Sequence, residues 1–281
     1  MITASIVTYC NREKDLERLF RSALDSGIDY IYLIDHSPAD EVKRFMSSSS
    51  PLGSMLRDSR VSYGQYPNRG FGAGHNIAIR KSMERGAQYH AILNPDIYWE
   101  GDVPGRLARY MDENPDVGMT APKVLYPDGR LQYTCKMLPT PMDLIVRRFL
   151  PKNFTAKRNA RFELRASGHD SIMNVPYIHG CFMLFRNSDL RRAGLFDERF
   201  FMSPEDIDIT RRLHKISKTI YYPEVYIYHA HEAASHKFNK MLWIHITNMI
   251  KYFNKWGWIH DPERWEVNRR LSASLTERNK K

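Results

Sequence analysis

Cysteine is scarce in this chain, and long apolar runs are missing altogether. The three cysteines of the 281 residues, Cys10, Cys135 and Cys181, lie far apart, and none has the paired spacing of a zinc site. An odd number also argues against a closed disulfide framework, so a reducing compartment fits best. No stretch approaches the ~18 consecutive apolar residues of a membrane span. The opening MITASIVTYCNRE has neither the basic n-region nor the apolar h-region of a signal peptide. The expectation is a cytoplasmic protein whose membrane contact is at most peripheral, at the inner face of the plasma membrane. Acidic residues are short as well: 32 Asp and Glu against 42 Lys and Arg leave a formal net charge of +10. A field of that sign attracts nucleic acid, anionic lipid or phosphorylated small molecules. Pattern argues against nucleic acid, because the basic residues are not interleaved in a recognition helix or an RNP-like strand.

What is present is the composition of one large α/β unit, 42% hydrophobic and 26% charged, long enough for a real core. Ile2 to Thr8 reads as a buried strand, 15–24 as a helix with Leu16, Leu19, Phe20, Ala23 and Leu24 on one face, and Tyr30 to Ile34 as the next strand. This β–α–β opening predicts a parallel sheet with right-handed crossovers, whose ligands gather at the C-terminal strand ends. Thr8 to Asn11 and Asp35 to Ser37 sit at two such ends. The Ser47 to Ser50 run with Pro51 reads as a loop. Further strands are expected over 61–66, 89–93, 117–121, 175–185 and 219–228, and helices over 77–85 and 102–114. Residues 147–165 carry seven Lys or Arg against the single acidic Glu163 and read as a mobile basic surface loop. Residues 236–258 have the helical period.

Four segments carry chemistry. The turn Asn68-Arg-Gly70-Phe-Gly72-Ala-Gly74-His75-Asn76 would let backbone N–H groups approach a ligand. It has neither the Walker nor the Rossmann spacing, and tight packing is the competing explanation. Asn94-Pro95-Asp96 ends an apolar strand, where a carboxylate can hold Mg2+ or Mn2+ against diphosphate oxygens, or simply cap a turn. Glu205, Asp206 and Asp208 crowd three carboxylates into four positions at a helix start. Mutual repulsion and burial would raise one toward the range of a general base, although first-turn acids also stabilise a helix. His229 and His231 follow a strand and could complete a metal site or be structural.

Together with His179-Gly180-Cys-Phe-Met-Leu184, Gly194 to Arg211 and Ser235, these segments resemble, in order, the family 2 inverting glycosyltransferases of the GT-A fold. The likeness is strongest to the bacterial branch that includes rhamnosyltransferases of surface polysaccharide assembly. The resemblance implies a GT-A-type, mixed and mostly parallel sheet flanked by helices, with a nucleotide-sugar part at 1–125 and an acceptor and catalytic part at 126–235. It implies that Thr8, Tyr9, Asn11 and Asp35 hold the nucleoside and that Gly70, Gly72, Gly74 and Asn76 close over it. Asn94 and Asp96 stand for the Asp-x-Asp motif, with Asp96 and His229 at the metal. Asp206 stands for the base, and His179, Gly180 and Glu205 lie on the acceptor side. The donor implied is a dTDP- or UDP-sugar, with dTDP-rhamnose the best match, and the acceptor a glycan or lipid-linked glycan. A nucleotidyltransferase or a non-catalytic sugar-binding relative is the alternative.

Residues 236–281 match none of these motifs and read as a helical extension. Phe238, Met241, Leu242, Trp243, Ile246, Met249, Phe253, Trp256 and Trp258 give its first helix a broad apolar surface beside Lys237, Lys240, Lys251 and Lys255. That is the composition of an interfacial helix; packing on the catalytic domain or a homodimer interface is the alternative.

Overall fold

The computed structural model describes residues 1–145, 152–230 and 240–278. The first half runs β1 (Ile2–Thr8), α1 (Glu13–Leu24), β2 (Tyr30–Asp35), α2 (Glu41–Ser47), α3 (Pro51–Leu56), β3 (Val61–Gln65), α4 (Phe71–Glu84), β4 (Tyr89–Leu93), β5 (Ile97–Tyr98), α5 (Val103–Glu113) and β6 (Val117–Leu125). The second half continues with β7 (Cys135–Lys136), α6 (Pro141–Leu144), α7 (Lys152–Phe162), β8 (Met173–Asn174), β9 (Tyr177–Ile178), β10 (Phe182–Arg186), α8 (Asn187–Ala193), α9 (Glu205–His214), β11 (Lys218–His229), α10 (Lys240–Trp256) and α11 (Pro262–Arg278).

The strands β3-β2-β1-β4 are parallel neighbours, and the sheet continues through antiparallel β10 into β6, β11 and β5. Because β1 sends its chain toward β2 on one side and has β4 on the other, the strand order reverses between β1 and β4. Crevices at such a reversal are where open α/β sheets bind ligands. One face of the sheet buries α1, α3 and α5 through Leu16, Leu19, Phe20, Leu52, Leu56, Leu107 and Met111. The other face buries α4, α8 and α9 through Ile79, Leu190, Ile207, Ile209 and Leu213. Local signals place several boundaries. Asp102 caps α5 by accepting from Gly105 N at 2.9 Å, and Thr140 and Asp143 form a capping box on α6.

Four expectations change. The glycine segment from Phe71 onward is the first turn of α4, not a loop. Residues 41–56 form two short helices. The strand expected over 175–185 is broken into β9 and β10 around Gly180. The basic segment 147–165 is helical from Lys152, with 147–151 outside the described residues. Its few apolar groups are enough, because Thr155 and Phe162, two turns apart, face inward, and Arg158 is tied to Asp143 at 2.6 Å.

Residue 235 is not a core boundary. Met249, Tyr252 and Phe253 of α10 and Leu271 of α11 share one apolar cluster with Ile207, Ile209 and Leu213 of α9. Polar contacts reinforce it. Arg211 forms a bidentate pair with Asp261 (2.7 and 2.8 Å), bonds Glu263 at 2.8 Å and lies 4.1 Å over the Trp256 ring. Lys237, Phe238 and the start of the expected helix lie outside the described residues. Of the remaining lysines counted toward a membrane face, Lys255 is held by Asp197 and Asp208 (2.8 and 2.7 Å) and Lys251 by the Arg199 carbonyl. Trp243, Ile250, Trp258 and Ile259 stay exposed.

Candidate active site

The end of β1 presents Tyr9 and Asn11 outward. Cys10 takes a left-handed conformation (φ 52°) and donates its N–H to Ser37 Oγ at 2.9 Å, which leaves Tyr9 57% exposed. Thr8 and Asp35 are fully buried beneath it. The Asp35 carboxylate accepts from Thr8 Oγ1 (3.2 Å), Ser37 N (2.9 Å) and Tyr63 Oη (3.0 Å). Asp35 therefore ties β1, β2 and β3 together, and the nucleoside contact expected of it and of Thr8 does not reach the surface.

The same correction applies to the glycine segment. Gly70, at φ 104°, lets the chain enter α4 against the backbone of Phe201, where any Cβ would overlap the Phe201 carbonyl. A Cβ on Gly72 would meet Phe196, and one on Gly74 would meet Val7 and His36. Asn76 spends its amide on Phe196 N (3.0 Å), Phe196 O (2.9 Å) and Glu198 (3.0 Å). These residues clamp α4 to the 196–201 loop. The packing explanation holds for Gly72, Gly74 and Asn76. Beneath them runs a buried polar chain: His75 Nδ1 to Ser5 Oγ (2.7 Å), Ser5 to His90 Nε2 (2.9 Å), His90 Nδ1 to Thr3 (2.8 Å) and Thr3 to Ser82 (2.6 Å). Burial pushes His90 down to about 3 and His75 well below the usual imidazole range.

At the end of β4, Asn94 N donates to the Cys181 carbonyl and Asp96 accepts Ala230 N through its own backbone. This brings the Asp96 carboxylate to 3.4 Å from His229 Nε2. The buried His229 is oriented from behind, since Gln132 Oε1 meets its Nδ1 at 3.0 Å and Gln132 Nε2 donates to its carbonyl at 2.8 Å. Residue spacing gave no sign of Gln132. Among the described residues no cluster of three or more His, Cys, Asp or Glu could hold a metal. The protein offers two donors there, Asp96 and His229. His231 and Ser235 lie outside the described residues.

The three carboxylates of α9 separate. Asp208 faces the C-terminal helices, fully buried, with Arg212 Nε, Trp256 Nε1 and Lys255 Nζ at 2.9, 2.8 and 2.7 Å. Glu205 and Asp206 remain together at the helix start. Asp206 accepts Gly180 N (3.1 Å) and Ile207 N (2.8 Å), and the absent side chain of Gly180 lets that loop approach. Burial pushes Asp206 up to about 6, against the pull of these N–H groups and of Lys136. Burial and the neighbouring Asp206 push Glu205 further up, and its Oε2 has no hydrogen-bond partner. Each carboxylate disfavours the charged form of the other, and burial acts on both in the same direction.

A cavity of about 420 Å³ has a lining that includes His179, His229, Gln132, Lys136, Arg130 and Arg165. His179 and His229 stand with ring centroids 6.2 Å apart. A second cavity of about 370 Å³, between the α6–α7 hairpin and α11, contains none of the expected site residues.

The model of the family described as Glycosyl transferase family 2 matches residues 5–194. The chain is 25% identical over 284 residues to the N-acetylglucosaminyl-diphospho-decaprenol L-rhamnosyltransferase of Mycobacterium tuberculosis, covering 86% of this chain and 90% of that protein. It is 25% identical over 253 residues to the rhamnosyltransferase WbbL of Escherichia coli, covering 79% and 91%. Among solved structures, GalNAc-T7 with UDP, GalNAc and Mn2+ superposes with a TM-score of 0.67 at 14% identity over 91% of this chain. S. aureus TarS does so with a TM-score of 0.55 at 14% identity over 82%. The chain spans 48% of the former structure and 36% of the latter, and these two likenesses speak for the fold alone.

Proposed function

The chain belongs to glycosyl transferase family 2, and from that premise we propose that it moves a rhamnosyl group from dTDP-rhamnose to a diphosphate-linked lipid acceptor in surface polysaccharide assembly. The observation that carries the reading is the buried Glu205–Asp206 pair, whose Asp206 is held by the N–H of Gly180, the residue after His179, which lines a cleft with His229. The sugar and the lipid-linked acceptor rest on the two rhamnosyltransferase relatives.

In this reading the donor lies across the ends of β1 and β4, with Tyr9 and Asn11 toward its nucleoside and Asn94 and Asp96 toward its diphosphate. Asp206 accepts the proton of the acceptor hydroxyl. The freed oxygen lone pair forms the new bond at the anomeric carbon while the carbon–oxygen bond to the diphosphate breaks, its electron pair leaving with the phosphate. Gly180 N and Ile207 N keep Asp206 aimed and oppose the loss of its charge to burial, and Glu205 beside it raises the Asp206–Glu205 pair toward the basic range a general base needs.

A divalent ion fits this site. Asp96 supplies an oxygen and His229 an imidazole nitrogen whose ring is fixed by Gln132, a donor set compatible with Mg2+ or Mn2+. When bound, such an ion neutralises charge building on the departing diphosphate. The remaining ligand positions would fall to the donor and water. Peripheral membrane contact would follow from a lipid-linked acceptor, and exposed Trp243, Ile250, Trp258 and Ile259 offer the surface for it; among the described residues no helix is long and apolar enough to cross a membrane.

A product assay with dTDP-rhamnose, UDP-glucose and UDP-N-acetylglucosamine, with and without EDTA, tests the proposal. Transfer from dTDP-rhamnose, lost on chelation and in Asp206→Asn, is the expected result. Equal use of UDP-sugars overturns the donor assignment, and full transfer in EDTA overturns the metal.

A further inference from the structure

We infer that the cleft beside the Glu205–Asp206 pair contains a built diphosphate subsite, formed by Arg130, Lys136 and Arg165, which holds the acceptor's diphosphate. The inference rests on the proposed transfer to a diphosphate-linked lipid and deepens it.

Each of the three cations is braced on an aromatic ring. The Arg165 guanidinium lies 4.7 Å over Tyr133, Arg130 lies 5.2 Å over Tyr126, and Lys136 Nζ is 5.6 and 5.7 Å from the Tyr177 and Phe162 rings. Stacking of this kind orients a guanidinium while leaving for a ligand the Nη groups that Asp128 and Glu163 do not take. Arg130 is carried by a tight turn in which Gly129 takes φ 84°, Gly129 N donates to the Tyr126 carbonyl (2.9 Å) and Tyr126 N donates to the Arg130 carbonyl (2.7 Å). Arg165 is steadied by Glu163 at 2.7 and 2.9 Å, and Glu163 is the one carboxylate lining the cavity. Arg130 Nε is paired with Asp128 at 2.8 Å as Arg165 is with Glu163, so Lys136 supplies the net positive charge, which low-dielectric walls focus on anions. Two guanidinium groups facing one cleft suit the oxygens of a phosphate chain.

The subsite adjoins the donor's at His229 and extends away from it. None of its lining residues comes from β1, β2, α4 or β4, the elements at the donor end. Its floor is His179 and His229, and His179 is followed by Gly180, whose N–H holds Asp206. In a glycosyl-diphospho-lipid the phosphates leave C1 while the attacked hydroxyl lies across the same ring. An anion subsite on the same side as the base is therefore what such an acceptor requires. The +10 net charge finds here a local use.

Arg130→Gln, Arg165→Gln and the double variant test it on the full chain. Geranyl diphosphate is titrated calorimetrically into protein saturated with dTDP and Mg2+, so that the donor's own diphosphate position is filled. Each arginine should be worth about tenfold in affinity, as for hydrogen bonds to charged groups, and the double variant more. In parallel, the ratio of kcat/KM for geranyl-diphospho-N-acetylglucosamine to that for octyl N-acetylglucosaminide should fall by a similar factor. Loss of geranyl diphosphate binding in the variants sustains the subsite even if neither glycoside accepts rhamnose, in which case only the transfer reading fails. Unchanged binding in the double variant, with its melting temperature intact, overturns the inference.

Discussion

Acidification should unfold this protein earlier than its carboxylates alone would allow, because of the His75–Ser5–His90 chain beneath α4. Both imidazoles are fully buried and neutral in the folded state, and each exchanges a hydrogen bond with Ser5. Unfolding returns them to water, where their pKa is near 6.5. The sign follows: above pH 6.5 neither state binds a proton and the pair contributes no pH dependence. Below it the unfolded chain takes up protons that the folded chain, with His90 at about 3 and His75 well down, refuses. Each such histidine costs about 1.4 kcal/mol per pH unit once the unfolded form is protonated. Between pH 7 and 5 that is about 2 kcal/mol for each, or roughly 4 kcal/mol for the pair, a large share of the ~5–15 kcal/mol available to a domain. His214, pushed down to about 4 by burial, and His169 add to the slope, while protonation of Asp206 on acidification opposes it. The difference between variants isolates the pair. Urea unfolding followed by tryptophan fluorescence at half-unit steps should show the slope of stability against pH fall by about 2.7 kcal/mol per unit in the His75→Asn/His90→Asn variant. The comparison reads slopes, so any general weakening of the variant drops out. If the double variant keeps the parent's slope between pH 6 and 5, the two histidines are not held neutral and the argument is wrong.

Three further outcomes follow from the site. Transfer should decline as pH falls through about 6, where Asp206 loses its basic form, and Asp206→Asn should lower kcat roughly 10²–10⁴-fold with donor affinity retained in calorimetry. Gln132→Ala should weaken the divalent-ion requirement's apparent affinity about tenfold or more by freeing His229, read as the Mn2+ concentration for half-maximal transfer; an unchanged value would remove Gln132 from the metal argument. Arg211→Met should cost about 3–5 kcal/mol by stranding Asp261 in the interior, and Arg211→Met/Asp261→Leu should recover much of it, both measured by denaturant unfolding.

The parts of this molecule that sequence made legible are those whose cause is local. β-branched runs marked β1, β2 and β4, and their ends at Tyr9, Asp35 and Asp96 fall at the sheet's reversal as strand order requires. The misread parts have partners far along the chain. Gly72 and Asn76 look like a ligand loop until Phe196, some 120 residues on, is found packed against them. Asp208 looks like a third active-site acid until Trp256 and Lys255 are seen holding it. Residues 152–162 look like a loop because composition hides the two inward positions that fasten the helix. The position of Asp35 at the end of its strand is legible in the sequence, whereas its contacts with Thr8, Ser37 and Tyr63 are visible only in the structure. Arg130 was the easiest miss to avoid, because Tyr126-Pro-Asp-Gly-Arg130 is a plain turn signature beside two aromatics.

The grip of α10 and α11 on α9 has a practical meaning for modularity. The helix that begins with Glu205 and Asp206 exposes its back, through Asp208, Arg211 and Arg212, to the C-terminal segment, and Arg211 is almost wholly enclosed by it. Such a tail is not cargo that one enzyme could lend to another. Removing it, or grafting one from a relative with different charges, would strip Arg211 of Asp261 and Glu263 and leave Asp208 with Arg212 alone, a single turn from Asp206. The loops around 126–136 and 163–170 can change without disturbing that joint, whereas α9, α10 and α11 hold together as one piece.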